Sequence, residues 1–279
     1  MVNVTDVSLI QEIRAVQALS ELNFEINISQ EEQDKFRLLK YYFNMPYSVG
    51  LKEGVDIKNI IKIDHSQPIT SIFLINKTLV FPKAIITHLK LKWAKKRKYK
   101  ILFAGLIDAK REEAIEKWLF ANYHRSYRIK HVTFGFKIKR KLFTMFNIEK
   151  PLLKKFGELF ISRSNRGRIF PVKSWDKEYY NLLLKSKFIL CPSGVYIWTY
   201  RFFESILCGA IPIVEEPSPA YEGFKFYTME ENLSNLEWKK EIVEYNYKLC
   251  LERITLSDSE AIYIQNKIQS LNNNCLKQE

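Results

Sequence analysis

A strand, a glycine loop, a helix and a second strand follow one another in residues 186–214, and this pattern constrains the fold most. Residues 188–191 and 211–214 are short apolar runs of the kind found in buried strands. A Pro-Ser-Gly turn follows the first run, and residues 199–207 have a helical pattern. This order predicts a βαβ unit, whose connecting loop lies at the carboxyl edge of a parallel sheet, where open α/β folds bind ligands.

The loop and the helix that follows it have the features of an anion site. The free backbone N–H groups and the dipole at the start of a helix favour a bound anion. Arg201 and Glu204 are three residues apart and therefore share a face of this helix. A guanidinium matches a phosphate, and a carboxylate accepts hydrogen bonds from both hydroxyls of a diol. The pair suits a nucleotide sugar, although an ordinary salt bridge within the helix would use the same spacing.

Four further residues of this loop region are candidate donor-binding residues. Gly194 would let the backbone approach a phosphate closely, and Ser193 could donate a hydrogen bond to a phosphate oxygen. The same two residues could simply form a connecting turn. Tyr196 and Tyr200, with Trp198 between them, could stack on a base or a sugar, or equally pack against neighbouring side chains.

Upstream basic residues are placed where they could reach the same ligand. Gly105 ends the apolar run 101–104, and Arg111 belongs to the first turn of the helix predicted after it. Arg111 could contact a second phosphate, or it could be a solvated residue of a first helical turn. Arg163 and Arg166 belong to a basic loop that by itself indicates no particular ligand.

The spacing of these residues resembles the exostosin-type family of glycosyltransferases. The shared pattern is Tyr-x6-Ser-Lys-Phe-x-Leu-Cys-Pro-x-Gly, then Arg-x-x-Glu, then Gly-x-x-Pro-Ile/Val, and the likeness covers about residues 97–216. The resemblance implies a GT-B-like α/β architecture with two Rossmann-like domains and transfer with inversion. It also implies that Arg201 lies near the diphosphate, that Glu204 binds the ribose hydroxyls, and that the loop with Arg163 and Arg166 lines the base and phosphates.

An inverting transferase needs a base that takes the proton of the acceptor hydroxyl. In the architecture implied by the resemblance, this base comes from the first domain. Asp64 and His65 follow the apolar run 60–63 and are expected at a strand's carboxyl edge, which makes them the candidate catalytic residues. Alternatively, Asp64 caps a turn and His65 is a surface imidazole. The weaker candidates are Glu53, Asp56 and Glu215.

No metal ion and no cofactor are expected. The chain contains no Asp-x-Asp motif, so arginines and a helix start would neutralise the leaving diphosphate instead. The four cysteines have neither a metal-ligand spacing nor a disulfide pattern, and Cys191 and Cys208 are expected to be small core residues. The nucleotide sugar itself is predicted to be the donor substrate.

The charge of the chain leaves a second class of function open. The formal net charge is +13, and residues 90–168 contain 23 Lys and Arg against 6 Asp and Glu. Such a segment could attract nucleic acid or an acidic membrane surface, but solvated lysines explain most of it, and it lacks the spacing of a known nucleic-acid module. An inactive sugar-binding relative is a further alternative, because no base is obvious.

The sequence therefore predicts a compact two-domain glycosyltransferase with C-terminal helices. The predicted division is an acceptor-side α/β domain at 1–94, a nucleotide-sugar domain at 95–225 and a helical segment at 226–279 that packs back on the domains. The predicted reaction transfers a monosaccharide from a UDP-sugar to a glycan hydroxyl, with xylose preferred among the sugars that the family transfers. Without a signal peptide or an apolar membrane span, the protein is expected in the cytoplasm.

Overall fold

The computed structural model describes residues 1–130, 138, 142, 145, 152–164 and 169–275. The chain divides into two compact units. Unit 1 consists of Met1–Leu91, Arg168–Asp176 and Leu249–Glu279, and unit 2 consists of Lys92–Gly167 and Lys177–Lys248. The two units are interleaved in sequence, a feature that the three continuous segments predicted from the sequence do not have.

Unit 1 contains a parallel sheet of four short strands in the order β3-β2-β1-β4. The strands are β1 (Val2–Val4), β2 (Ile26–Ile28), β3 (Ser48–Val49) and β4 (Val55–Asp56). All residues of β1 and β2 are buried, as expected for the central strands of a parallel sheet. Two helices, α1 (Ile10–Ser20) and α2 (Gln33–Phe43), alternate with these strands along the chain.

The rest of unit 1 combines an antiparallel sheet with further helices. Strands β5 (Ile61–Asp64), β6 (Ile69–Ile72) and β7 (Ile75–Lys77) form consecutive hairpins. Helix α3 (Lys83–Leu91) follows them, and α8 (Asp258–Cys275) also belongs to this unit. No helix within the described residues is both long enough and apolar enough to cross a membrane.

Unit 2 is built on a six-stranded sheet in the order β13-β12-β11-β8-β10-β9. The strands are β8 (Tyr99–Leu106), β9 (Leu153–Phe156), β10 (Leu159–Ser164), β11 (Ser186–Cys191), β12 (Ile211–Val214) and β13 (Tyr227–Thr228). Every pair of neighbours is parallel except β9 and β10. The prediction of a mixed α/β fold with parallel sheets is confirmed.

Helices lie between and after these strands along the chain. With bounds that the structure describes, they include α4 (Ala109–Tyr123), α5 (Lys177–Leu184) and α6 (Tyr200–Leu207), and α7 (Lys240–Ile254) follows β13 and continues into unit 1. Strand β8 is central, with β10 on one side and β11 on the other. The direction in which strands are added therefore changes between β8 and β11, which makes their carboxyl ends the topological switch point of this sheet.

The basic run at residues 95–100 belongs to unit 2. In this run, Arg97 donates hydrogen bonds to backbone carbonyls at the ends of two helices. Its Nη1 donates to the carbonyl oxygens of Leu184 and Ser186 at 3.2 and 2.6 Å, and its Nη2 donates to that of Cys208 at 3.1 Å. Burial lowers the pKa of the Arg97 guanidinium to about 10. The carbonyls at a helix C-terminus lack partners within the helix, and Arg97 supplies donors at the ends of both α5 and α6.

Candidate active site

The candidate site lies at the carboxyl ends of β8 and β11. Gly105 and Leu106 end β8, and a short turn leads from them into α4. Cys191 ends β11, and the loop of residues 192–199 leads from it into α6. These two connections form the edge of the sheet at the switch point, as the βαβ pattern predicts.

Arg201 lies in the first turn of α6 and extends toward the end of β8. It is only 8% exposed, its Nε donates to the carbonyl oxygen of Ala104 at 2.9 Å, and its guanidinium carbon is 4.5 Å from the centre of the Phe103 ring. Its Nη1 is buried and has no hydrogen-bond partner among the described residues. An unsatisfied buried donor costs about 1–3 kcal/mol, so an acceptor at this position would be stabilising.

Arg111 brings a second guanidinium to the same edge. Asp108 caps α4 by accepting from the backbone N–H of Arg111 at 2.9 Å, and its other carboxylate oxygen is 3.3 Å from Nη1 of Arg111. Burial and the positive charge of Arg201 lower the pKa of Arg111, while Asp108 opposes this shift. Its Nε is also buried without a partner among the described residues. Two partly desolvated cations in one place favour an anion between or beside them.

The two glycines of the site make room for these two arginines. A Cβ atom built on Gly105 would lie less than 3.0 Å from Nη2 of Arg201, and one built on Gly194 would lie less than 3.0 Å from Nη2 of Arg111. Gly105 also has a φ of +145°, which L side chains rarely adopt. The sequence predicted that Gly194 lets a phosphate approach, whereas in the structure the group next to it is a guanidinium.

Ser193 is engaged within the loop rather than presented to a ligand. It is 1% exposed, its Oγ donates to the carbonyl oxygen of Ile197 at 3.0 Å, and its N–H donates to Oε2 of Glu215 at 2.9 Å. The expectation that its hydroxyl donates to a phosphate oxygen is therefore not met in this structure. Glu215, a weaker candidate for the base, instead follows β12 and accepts from this loop.

The aromatic residues of the loop differ in exposure. Tyr196 is 40% exposed, while Tyr200 is half-buried with its ring 5.1 Å from that of the buried Trp198, in an edge-to-face arrangement. Tyr196 is therefore the aromatic side chain of the loop with the most surface for stacking, and Tyr200 packs against Trp198.

Glu204 lies inside the packing of α5 against α6. It is 1% exposed and accepts hydrogen bonds from the hydroxyls of Tyr179 at 2.6 Å and Tyr180 at 3.1 Å. Both tyrosines belong to α5. The resemblance implied that Glu204 binds the ribose hydroxyls, but here the carboxylate is enclosed, because two α5 hydroxyls satisfy it.

Arg163 adds a third cation to this edge of the sheet. It lies near the end of β10, where it is in register with Gly105 of the neighbouring parallel strand, and its side chain is exposed. Its charge contributes to lowering the pKa of Lys154 on β9, after the larger effect of burial. Arg166 lies outside the described residues.

Asp64 and His65 lie at a hairpin turn of unit 1. Asp64 ends β5, and its Oδ1 accepts from the N–H and the hydroxyl of Ser66 at 2.8 and 2.7 Å and from the N–H of Gln67 at 3.3 Å. The hydrogen bonds from Ser66 lower the pKa of Asp64. The strand end is therefore an antiparallel hairpin, and Asp64 caps its turn with one oxygen.

Three residues that the sequence analysis did not assign to the site shape it. Tyr179 and Tyr180 hold Glu204, and the hydroxyl of Tyr221 accepts from the N–H of Thr199 at 2.8 Å. Only Tyr179 is part of the family-like pattern, and no spacing in the sequence connects Tyr221 with the loop. Within the part of the chain that the structure describes, no three His, Cys, Asp or Glu side chains are grouped closely enough to hold a metal ion.

Comparison with known proteins identifies the family. The family model of the Exostosin GT47 domain matches residues 55–222. No curated protein matches this sequence. Among solved structures, a chain described as "Crystal structure of GtfA/B complex" is similar with a TM-score of 0.34 and 8% identity, over 93% of this chain and 60% of that one. The family match covers more than half of this chain. The protein therefore belongs to the Exostosin GT47 domain family of glycosyltransferases.

Proposed function

We propose that this protein transfers a monosaccharide from a UDP-sugar to a glycan hydroxyl, with inversion and without a metal ion. The observation that carries the proposal is the pair of partly buried arginines, Arg111 and Arg201, at the switch point of unit 2. Each has a buried guanidinium nitrogen without a partner among the described residues. Membership of a glycosyltransferase family supports the reaction class.

The arginine pair suits the leaving group of such a reaction. As the bond between the sugar and the diphosphate breaks, negative charge develops on the diphosphate, and fixed positive groups stabilise that charge most effectively when they are partly desolvated. The carbonyl oxygen of Ala104 holds Arg201, and the carboxylate of Asp108 holds Arg111. Because they are already ordered, they lose little conformational freedom when the diphosphate binds.

The start of α6 would contribute to the same charge. Thr199 caps this helix, because its side chain accepts from the N–H of Arg201 and its carbonyl oxygen accepts from the N–H of Phe202. The positive end of a helix dipole favours phosphate groups. We therefore place the diphosphate beside α6 and the two guanidiniums, with Tyr196 as the exposed stacking residue.

The remaining parts of the proposal concern the fold, the base, the ribose and the transferred sugar. A GT-B arrangement would make unit 2 the nucleotide domain, with the base supplied by Asp64 or His65 of unit 1. Ribose binding by Glu204 would require it to leave its present environment between α5 and α6. Xylose or another small neutral sugar is our preference for the transferred group.

Nucleotide binding by variants of the two arginines tests the proposal. Arg111→Ala and Arg201→Ala should each weaken UDP binding by about tenfold or more, which corresponds to ~1.4 kcal/mol. Arg128→Ala is the matched control, because Arg128 is an exposed arginine of the same unit. Isothermal titration, together with the rise in melting temperature on adding UDP, measures the effect. If both variants bind UDP like the parent, or if the control is equally impaired, the arginine pair is not the diphosphate site.

Adding a chelator tests separately whether UDP binding and transfer are independent of metal ions. UDP affinity and turnover should be the same in EDTA as in Mg²⁺ or Mn²⁺, because the arginines and the start of α6 supply the positive charge. A panel of UDP-sugars in the same assay identifies the transferred sugar. Activity that disappears in EDTA and returns with Mn²⁺ would contradict this part.

A further inference from the structure

The segment that follows β12 contacts both ends of the loop between β11 and α6. At the start of the loop, Oε2 of Glu215 accepts from the N–H of Ser193 at 2.9 Å. At its end, the hydroxyl of Tyr221 accepts from the N–H of Thr199 at 2.8 Å. Backbone N–H groups in a loop have no ladder partner, so these two side chains satisfy donors that would otherwise need water. We call Glu215 and Tyr221 together the loop clamp.

Tyr221 is itself held rigidly. Its side chain is 1% exposed and stacks on Phe202 of α6, with ring centroids 3.9 Å apart and an interplanar angle of 18°. A short helical turn, Pro219–Tyr221, is capped by Ser218, whose side chain accepts from the N–H of Ala220. The Tyr221 hydroxyl is therefore fixed relative to the helix that carries Arg201.

The interior of the loop is also ordered by its own hydrogen bonds. The hydroxyl of Ser193 donates to the carbonyl oxygen of Ile197 at 3.0 Å, and the N–H of Gly194 donates to that of Tyr196 at 3.1 Å. The loop is thus a compact turn whose two ends are held from outside by the clamp.

Each contact of the clamp supports one of the two arginines. Glu215 fixes Ser193, and the next residue, Gly194, has its Cα against the guanidinium of Arg111. Tyr221 fixes Thr199, whose hydroxyl accepts from the N–H of Arg201. The clamp therefore connects one segment of the chain, residues 215–221, to both cations of the proposed diphosphate site.

We propose that Glu215 and Tyr221 are positioning residues of the nucleotide site, which act on the donor through the loop and not by touching it. This inference rests on the proposed function. A site whose supporting contacts are loosened loses the preorganisation of its charged groups, and binding must then order them again. Loss of the clamp should accordingly raise the KM for the donor more than it lowers kcat.

The chemistry of Glu215 allows a sharp test, because its role requires an acceptor and not a charge. Glu215→Gln keeps a carbonyl oxygen that can accept from Ser193, whereas Glu215→Ala removes the acceptor. Tyr221→Phe removes the hydroxyl that accepts from Thr199 and keeps the ring that stacks on Phe202. Glu216→Ala is the matched control, since Glu216 is the exposed neighbour of Glu215.

The experiment combines amide hydrogen exchange without nucleotide, UDP titration and steady-state kinetics. In Glu215→Ala the amide of Ser193 should exchange faster, and in Tyr221→Phe that of Thr199 should do so. Both variants should raise the Kd for UDP and the KM for the donor by about tenfold, with kcat within about threefold of the parent. Glu215→Gln should keep the Kd for UDP, the KM for the donor and kcat within about threefold of the parental values, and Glu216→Ala should match the parent.

Three outcomes would overturn the inference, and they differ from one another. Parental amide protection in both Glu215→Ala and Tyr221→Phe would show that there is no clamp. Faster exchange with parental UDP affinity and KM would show that the contacts are structural only. A Glu215→Gln variant as impaired as Glu215→Ala would show that the charge matters and not the acceptor. Failure of the parent to bind UDP would instead contradict the proposed function, and the positioning role with it.

Discussion

The hydroxyl of Tyr179 on α5 donates a 2.6 Å hydrogen bond to Oε2 of Glu204 on α6, and both groups are buried. Tyr180 donates to the other oxygen of the same carboxylate. A buried carboxylate is stable only when its oxygens accept hydrogen bonds, so the two tyrosines and Glu204 form one hydrogen-bonded cluster. This connection joins α5 to α6, the helix that carries Arg201.

The first prediction is that Glu204 contributes to folding. Glu204→Ala should lower the free energy of unfolding by about 2–3 kcal/mol, because it leaves two buried hydroxyls without their acceptor. Glu204→Gln keeps one carbonyl oxygen and should therefore lower the free energy of unfolding by less. Urea unfolding followed by circular dichroism measures both. The control is Glu178→Ala on the exposed face of α5, which should stay within about 0.5 kcal/mol of the parent. Parental stability of Glu204→Ala would contradict this role.

The second prediction concerns Gly194. In Gly194→Ala the added methyl group would meet the guanidinium of Arg111, which must move away. UDP affinity should therefore fall by about five- to tenfold while the melting temperature changes little, because an arginine head group can shift into solvent at low cost. Titration of the variant with UDP and a thermal melt without it separate the two effects.

Gly105→Ala should lower both UDP affinity and the melting temperature more than Gly194→Ala does. The added methyl group would meet the guanidinium of Arg201, and the φ of +145° at this position is one that L side chains rarely adopt. Gly50→Ala is the control for strain alone, since Gly50 has a φ of +107° and no atom within 4 Å of an added Cβ. A Gly105→Ala variant no less stable than Gly50→Ala, and with parental UDP affinity, would show that the guanidinium of Arg201 is not held there.

The third prediction is that Arg97 stabilises unit 2. Arg97→Met removes the donors that reach the carbonyls of Leu184, Ser186 and Cys208, and should lower the free energy of unfolding by about 2–4 kcal/mol. Lys98→Ala, an exposed position in the same basic run, should stay within about 0.5 kcal/mol of the parent. Equal stability of the two variants, measured by chemical denaturation, would contradict the capping role.

The sequence predicted the scaffold of the site well, because its signals are local. The runs at 188–191 and 211–214 lie within β11 and β12, and the loop between them reaches the carboxyl edge of a parallel sheet. An apolar run and the Pro-Ser-Gly turn are patterns of neighbouring residues, so the βαβ unit could be inferred from one segment. The resemblance to the exostosin-type family also rests mainly on this segment.

The side-chain environments could not be inferred in the same way, because they depend on residues distant in sequence. The spacing of Arg201 and Glu204 shows that they share one side of α6, but not that tyrosines of α5 enclose the carboxylate. Composition could not distinguish Arg97 from the lysines around it, although it alone reaches two helix ends. The run before Asp64 could form a parallel strand or a hairpin, and the structure has a hairpin.

The fourth prediction concerns the cysteines. Cys191, Cys208 and Cys250 are buried, and burial raises the pKa of each thiol, that of Cys191 to about 12. Only the thiolate reacts with alkylating agents, so at pH 8 these three thiols should stay unmodified for hours in the native protein. In a Cys275→Ser variant, mass spectrometry after iodoacetamide treatment should find them alkylated only after unfolding. Rapid native modification of Cys191 would show that its strand is open to solvent.

The last prediction concerns the base. Oδ1 of Asp64 caps the hairpin turn, while Oδ2 has no hydrogen-bond partner among the described residues and could accept the proton of an acceptor hydroxyl. Asp64→Asn keeps the acceptor for the turn but removes the basic oxygen, so transfer should fall by about 100-fold or more. UDP affinity should be unchanged, because the proposed diphosphate site belongs to unit 2.

The pH dependence separates Asp64 from His65. The pKa of Asp64 is lowered, so its carboxylate stays ionised throughout the neutral range, and kcat should not vary with the protonation of this group above about pH 5. If kcat of the parent does vary with pH in the neutral range, the base is not Asp64, and a larger loss in His65→Ala would assign the role to the imidazole. Near-parental turnover of both variants would place the base elsewhere, with Glu53 and Asp56 of unit 1 the next residues to test.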